Sequence, residues 1–106
     1  MTSDNVITLD LSRFTDTDIA AVKSLGEKQR LLYRWFRSER KTEVGLDVYM
    51  IYSGTRSQTP YAAYRIERHR EGVYHLFNQR TDEKIKTGRR IMEIIDSIPD
   101  DFYYSL

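Results

Sequence analysis

The chain has 106 residues, of which 31% are charged and 12% are aromatic, and its formal net charge is +1. This length suits one domain with a modest core, and the aromatic content argues against disorder. A nearly neutral charge does not by itself select nucleic acid, membrane or acidic partners. The chain lacks cysteine, which removes disulfides and thiolate metal sites and fits a reducing compartment. We therefore expect a cytoplasmic protein with a single domain over residues 1–106.

The N-terminal residues show no targeting pattern. Residues 1–10 lack the basic start and the apolar run of a signal peptide. The longest apolar runs of the chain are only a few residues, so we expect no membrane partner. Alternation of Ile7, Leu9 and Leu11 with polar residues predicts a short edge strand over residues 6–11.

An N-terminal helical segment is predicted over residues 16–38. Thr15 is suited to cap this segment, and acidic residues follow in its first turn. Apolar residues at 31, 32, 35 and 36 fall on one helical face, which extends the prediction to residue 38. Gly26 either ends a first helix or is tolerated within one long helix, and the sequence leaves both readings open.

The centre of the chain, residues 46–80, predicts a three-stranded antiparallel meander. Its last two strands form a hairpin over residues 61–80 that turns at residues 70–72, with only Gly72 at positive φ. The resulting register places Ile66 opposite Leu76 in the core. The other side of this hairpin then carries Arg65, Glu67, His69, His75, Phe77 and Gln79.

The C-terminal part predicts a short strand around Ile85 and a helix over residues 88–98, capped by Thr87 and ended before Pro99. The tail, residues 100–106, is acidic and aromatic, and we expect it to be flexible or to dock. The predicted fold class is therefore α+β, with an antiparallel sheet packed against the N-terminal and C-terminal helices.

Charge is segregated along the chain. Residues 23–41 and 56–90 each sum to +5 and alternate with acidic segments. Basic clusters of this kind contact phosphate, or they are solvated surface. Aromatic residues on or beside the strands could stack on single-stranded nucleic acid, or simply pack the sheet. The predicted anion-binding or nucleic-acid-binding residues are Arg34, Arg37, Arg65, Lys84, Lys86, Thr87, Arg89 and Arg90.

Two of these groups have a local geometric basis. Arg30, Arg34 and Arg37 share one face of the predicted helix. Arg89 and Arg90 lie in the first turn of the C-terminal helix, where backbone amide groups and guanidinium groups together suit an anion. The alternative is that both arginines point to water or pair with nearby acids.

The polar side of the hairpin could carry chemistry. In the predicted register Glu67 lies opposite His75, with His69 diagonal and Arg65 next to them. A glutamate with two histidines could perform acid–base catalysis or bind a divalent metal, although such sets are commonly surface pairs. Because there is no third strong ligand, we predict no metal site and no cofactor.

The leading expectation is a non-catalytic binding module for nucleic acid, another phosphate-bearing ligand or a protein partner. The order of elements, a strand, helices, an antiparallel sheet and a last helix, resembles that of RelE/ParE-type bacterial toxins. This resemblance implies a small RNA-cleaving enzyme, for which Arg65, Glu67, His69 and His75 are the candidate residues. A third alternative is a homodimer or adaptor that uses the aromatic tail.

Overall fold

A computed structural model of the chain describes residues 9–55, 61–99 and Phe102. Its strands form one antiparallel sheet of five strands in the order β1-β2-β3-β4-β5. The predicted α+β class is therefore confirmed, with the meander as the middle of a larger sheet. Neither described helix has the length and apolar character needed to cross a membrane. The elements are α1 (Asp16–Leu31), β1 (Arg34–Glu43), β2 (Leu46–Thr55), β3 (Tyr61–His69), β4 (Tyr74–Asn78), β5 (Glu83–Gly88) and α2 (Ile91–Ile95).

Helix α1 begins at the predicted cap. The Thr15 side chain accepts a hydrogen bond from the Asp18 amide, and the Asp18 carboxylate accepts one from the Thr15 amide. Such a capping box satisfies two amide groups that the first turn leaves unpaired. Gly26 lies inside α1, where an added Cβ would stand 2.7 Å from the Phe36 ring. Gly26 is therefore a close-approach residue within one continuous helix rather than its end.

The predicted continuation of the helix to residue 38 is wrong. Tyr33, at a φ of 58°, follows the end of α1, and Arg34 begins β1. Trp35 and Phe36 fit a helical stripe, but as strand neighbours they point to opposite sides of a sheet. Aromatic residues have low helix propensity and high strand propensity. Pairing of β1 with β2 along its whole length decides the outcome.

The N-terminal edge strand is also not found in the part that the structure describes. Residues 9–11 are irregular, and residues 6–8 lie outside the described residues. Instead of a ladder, this segment makes a backbone hydrogen bond from the Leu11 amide to the Arg70 carbonyl. Leu9 and Leu11 are both exposed, so their alternation does not indicate burial.

The β3–β4 hairpin has the predicted register. Ile66 pairs with Leu76 and Glu67 pairs with His75. Gly72 has a φ of 75°, and its amide donates to the His69 carbonyl to close the turn. Ile66 and Leu76 are fully buried, which explains why the register is fixed: a shift by one residue would expose both.

Helix α2 is shorter than the prediction of residues 88–98. It spans Ile91–Ile95, and its N-cap residue Arg90 makes no capping side-chain hydrogen bond. Thr87, the predicted cap, belongs instead to β5, because pairing of β4 with β5 continues to Gly88. The strand predicted around Ile85 is confirmed as β5.

Both helices pack on the same side of the sheet. The buried cluster joins Val22 and Leu25 of α1 with Ile94 of α2 and with the inward residues of the middle strands. Phe102 closes this core, because its ring meets those of Phe36 and Tyr64 edge-on at 6.4 and 5.7 Å between centroids. At Phe102, therefore, the tail docks on its own domain; the other tail residues lie outside the described residues.

Candidate nucleic-acid interface

One side of the sheet lacks a helix among the described residues, and we call it the open face. Phe36 packs against Gly26 of α1, so its strand neighbours Trp35 and Arg37 point to the other side. The same alternation in β3 places Arg65 on the side of the sheet away from its buried neighbour Ile66. The polar and aromatic side chains of the open face include Trp35, Arg37, Glu39, Lys41, Tyr52, Arg65, Glu67, His69, His75, Phe77, Lys84 and Thr87.

An arginine stacks on aromatic rings at the β1–β2 end of the open face. The Arg37 guanidinium carbon lies 4.6 Å from the centroid of Tyr52 and 5.8 Å from that of Trp35. Glu39 holds this arrangement, because it accepts a hydrogen bond from the Tyr52 hydroxyl and pairs with Arg37 at 3.1 Å. The Arg37 side chain is nevertheless 53% exposed, so its charge is accessible to a ligand.

A second stack lies at the β3–β5 end. The Arg65 guanidinium carbon lies 4.2 Å from the centroid of Phe77. Its nitrogens pair with Glu67 at 2.7 Å and with Asp82 at 2.9 Å. Burial alone would lower the pKa of Arg65, but the hydrogen bonds to Asp82 and Glu67 outweigh burial and raise it. Arg65 is thus a fixed, permanently charged group.

Glu67, His69 and His75 form what we call the histidine cluster. His69 Nε2 lies 2.8 Å from Glu67 Oε1, and the two imidazole rings meet edge-on with centroids 4.7 Å apart. His75 Nδ1 lies 2.9 Å from the Thr87 hydroxyl. Burial lowers the pKa of His75, and the charges of Lys84 and His69 lower it further. These effects favour the neutral form of His75, which can accept a proton.

The histidine cluster does not have the geometry of a metal site. Within residues 9–55, 61–99 and Phe102, no group of three or more histidine, cysteine, aspartate or glutamate side chains could hold a metal ion. Within the cluster, Glu67 is hydrogen-bonded to His69, and the His69 ring contacts that of His75. Side chains of these types can exchange protons.

The structure brings together half of the predicted anion-binding residues. Arg37, Arg65, Lys84 and Thr87 share the open face, with the Lys84 ammonium 6.0 Å from the centroid of Phe77. Lys41 and Lys84 make no ion pair with any described residue, so both are accessible cations. These residues come from three different strands, β1, β3 and β5.

The other predicted cations lie elsewhere. Arg34 is 8% exposed on the helix side, where its Nε donates to Ser53 Oγ at 3.4 Å. Lys86 pairs with the buried Leu76 and so belongs to the helix side as well. The proposed stripe of Arg30 with two β1 arginines does not exist, because it required a helix beyond Leu31.

The start of the last helix, where an anion site was predicted, has a different arrangement from the expected one. Arg89 and Arg90 are exposed and precede α2, which is only five residues long. The Thr87 hydroxyl contacts His75 instead of the helix start. Gly88 is close to Glu93, whose Oε2 would stand 3.1 Å from an added Cβ. An acid at this place disfavours an anion.

Sequence reasoning missed Trp35 and Glu39 as parts of the site. Both were assigned to a helix or to the segment after it, where they have no relation to Tyr52. The signal that could have revealed them is the alternation of Trp35, Arg37 and Glu39, which places an aromatic, a basic and an acidic side chain on one side of a strand.

Comparison of the chain with models of known protein families, with curated proteins and with solved structures gives no match.

Proposed function

We propose that this protein is a binding module for single-stranded nucleic acid and that the open face is its contact surface. The observation that carries the proposal is the pair of guanidinium–aromatic stacks, Arg37 on Tyr52 and Arg65 on Phe77, on a side that no described helix covers. Bases stack on aromatic rings and on guanidinium planes, and sheet surfaces with such groups hold two or three bases.

The charge of the open face supports the same partner. Its acids Glu39 and Glu67 are paired with arginines, so they repel a phosphate less than free carboxylates would. Lys41 and Lys84, in contrast, have no ion pair among the described residues. Free ammonium groups on the same side of the sheet as stacking rings match the alternation of phosphates and bases along a single strand.

A location in the cytoplasm is part of the proposal. The chain has no cysteine to oxidise, and nucleic acid is plentiful in that reducing compartment.

The test is the salt dependence of binding to a short mixed-sequence oligonucleotide, followed by fluorescence anisotropy. Each phosphate contact with a single strand contributes about −0.7 to the slope of log K against log salt. Lys84→Gln should therefore reduce the slope by about 0.7, because it removes one contact. Lys86→Gln is the matched control, since it removes the same charge from the same strand on the helix side.

Stacking is tested separately with aromatic variants. Tyr52→Ala and Phe77→Ala should each weaken binding by about 1–3 kcal/mol. Tyr33→Ala is the control, because Tyr33 is 79% exposed but lies between α1 and β1 rather than on the sheet. Circular dichroism confirms that each variant is folded. A flat salt response, or equal effects of the two lysine variants, would contradict the proposal and favour a protein partner instead.

A further inference from the structure

The histidine cluster is not needed for binding alone, and its contacts hold two imidazole rings with their centroids 4.7 Å apart. Glu67 is fixed on one side by Arg65 Nε at 2.7 Å and contacts His69 Nε2 at 2.8 Å on the other. Thr87 holds His75 through Nδ1. Each imidazole is thus oriented through one nitrogen. Among the described residues, Nδ1 of His69 and Nε2 of His75 have no hydrogen-bond partner, so both can contact a substrate.

We propose that the histidine cluster cleaves RNA by transferring the phosphodiester from the 5′ oxygen of the next nucleotide to the neighbouring 2′ oxygen. This inference rests on the proposed function, because the open face must first hold the strand. RNA is the substrate class because its 2′-hydroxyl is an attached nucleophile. A bound strand therefore needs only a proton acceptor, a proton donor and a cation near the phosphate.

The side chains divide these tasks. His75 Nε2 accepts the proton of the 2′-hydroxyl while the bond between the 2′ oxygen and phosphorus forms. The bond between phosphorus and the 5′ oxygen breaks, and the leaving oxygen takes a proton from Nδ1 of protonated His69. Glu67 contacts Nε2 of His69, and a carboxylate in such a position can orient an imidazolium and balance its charge.

The reaction is balanced without an oxidant, a reductant or a second substrate. The products are a 2′,3′-cyclic phosphate end and a 5′-hydroxyl end, and the two imidazoles return to their starting forms by proton exchange with water. Lys84, without an ion pair among the described residues, offsets the charge that develops on the phosphate. Arg65 acts as a positioning residue, because Glu67, Gln79 and Asp82 occupy its nitrogens.

The first experiment incubates the full chain with an RNA oligonucleotide and with the DNA oligonucleotide of the same sequence. Mass spectrometry should find 2′,3′-cyclic phosphate and 5′-hydroxyl ends from RNA, and intact DNA. His75→Gln should slow cleavage by about 10²–10⁴-fold, the range of a single acid–base group. Glu67→Gln should also slow it, whereas Glu27→Gln on the exposed side of α1 should not.

The second experiment measures the pH dependence of the cleavage rate at saturating RNA. The charged and titratable groups that face His75 are Lys84 from β5, His69 and Glu67 from β3, and Glu71 from the turn. Lys84→Gln removes the cation that disfavours protonated His75. The acidic limb of the rate profile should therefore move to higher pH, a change that loss of structure would not produce.

The outcomes separate this inference from the proposed function. Cyclic phosphate ends that disappear in His75→Gln, while that variant still binds the DNA oligonucleotide, support cleavage by the cluster. RNA that is bound but remains intact overturns the cleavage and leaves the binding module standing. Cleavage that persists in both His75→Gln and Glu67→Gln overturns it as well. Failure to bind any oligonucleotide overturns both.

Discussion

Replacement of Asp18 should destabilise the fold, because a buried network of hydrogen bonds depends on its carboxylate. Its side chain is 2% exposed, and its Oδ1 accepts a hydrogen bond from the Tyr74 hydroxyl at 2.6 Å. Its Oδ2 accepts from the Thr15 amide at 2.9 Å and pairs with Arg68 at 3.2 Å. Asp18 therefore joins the start of α1 to both strands of the β3–β4 hairpin. Asp18→Asn keeps the size of this side chain but replaces one acceptor by a donor and removes the charge.

The expected loss of stability follows from the Arg68 charge, which remains buried without its carboxylate partner. Breaking a buried ion pair by removing one partner costs about 3–5 kcal/mol, because the other charge stays buried. Arg68 is only 13% exposed, although it keeps a hydrogen bond to the Leu11 carbonyl and one to the Tyr74 hydroxyl. We therefore expect a loss near the lower end, about 3 kcal/mol. That is a large fraction of the roughly 5–15 kcal/mol that stabilises a domain.

The assay is urea unfolding followed by circular dichroism, with linear extrapolation to water. Asp16→Asn is the matched control, because Asp16 lies in the same first turn but is exposed. It should lose only the helix-dipole contribution of about 0.3–1 kcal/mol. An Asp18→Asn variant that loses no more stability than Asp16→Asn would refute the central place given to this buried network.

Three further predictions concern packing and pH. Gly26→Ala should cost about 1–3 kcal/mol of stability, because the added methyl group meets the Phe36 ring. This cost exceeds the gain in helix propensity of up to about 1 kcal/mol, so urea unfolding should show a less stable variant, and a more stable variant would contradict the prediction. Burial alone would raise the pKa of Asp47, but hydrogen bonds from Arg40, the Phe14 amide and Thr42 outweigh it and lower the pKa. Its stabilisation is therefore present above the ordinary pKa of 3.8 and is lost as the pH falls through the lower folded value, so Asp47→Asn should flatten the acid side of a stability profile. Burial, followed by the hydrogen bond to Asp18, raises the pKa of Tyr74 from 10.0 to about 12. The corresponding stabilisation is full below pH 10.0 and is lost as the pH rises through about 12; an absorbance titration in which every tyrosine ionises together near 10.0 would contradict it.

The hairpin was predictable because its determinants are local. Gly72 accepts a positive φ at little cost, and the alternation around Ile66 and Leu76 leaves one register that buries both. The histidine cluster followed from the same register, since it consists of neighbours across one strand pair. The start of α1 was equally local, because Thr15 and Asp18 form the capping box within one turn.

Strand β1 was missed because two local patterns compete there, a helical spacing of apolar residues and a strand alternation. The spacing of Leu31, Leu32, Trp35 and Phe36 fits a helix, whereas the strand depends on partners in β2 such as Tyr52 and Ser53. The apolar side chains of the predicted helical face do not all pack in the core, because Leu31 is 79% and Leu32 43% exposed. Missing β1 also concealed the Arg37 stack. The two basic segments could therefore be found in the sequence, but not the side of the sheet on which their residues meet.

The most direct test of the open face as a nucleic-acid surface uses the one tryptophan of the chain, Trp35. This residue is half-buried and lies beside Arg37 on the open face. A base that stacks there quenches its fluorescence, so titration with a single-stranded oligonucleotide should give saturable quenching that weakens as salt is added. Free N-acetyltryptophanamide corrects for absorption by the oligonucleotide. Saturable quenching with the affinity found by anisotropy is the predicted result. Oligonucleotide binding that leaves the fluorescence of Trp35 unchanged would contradict it.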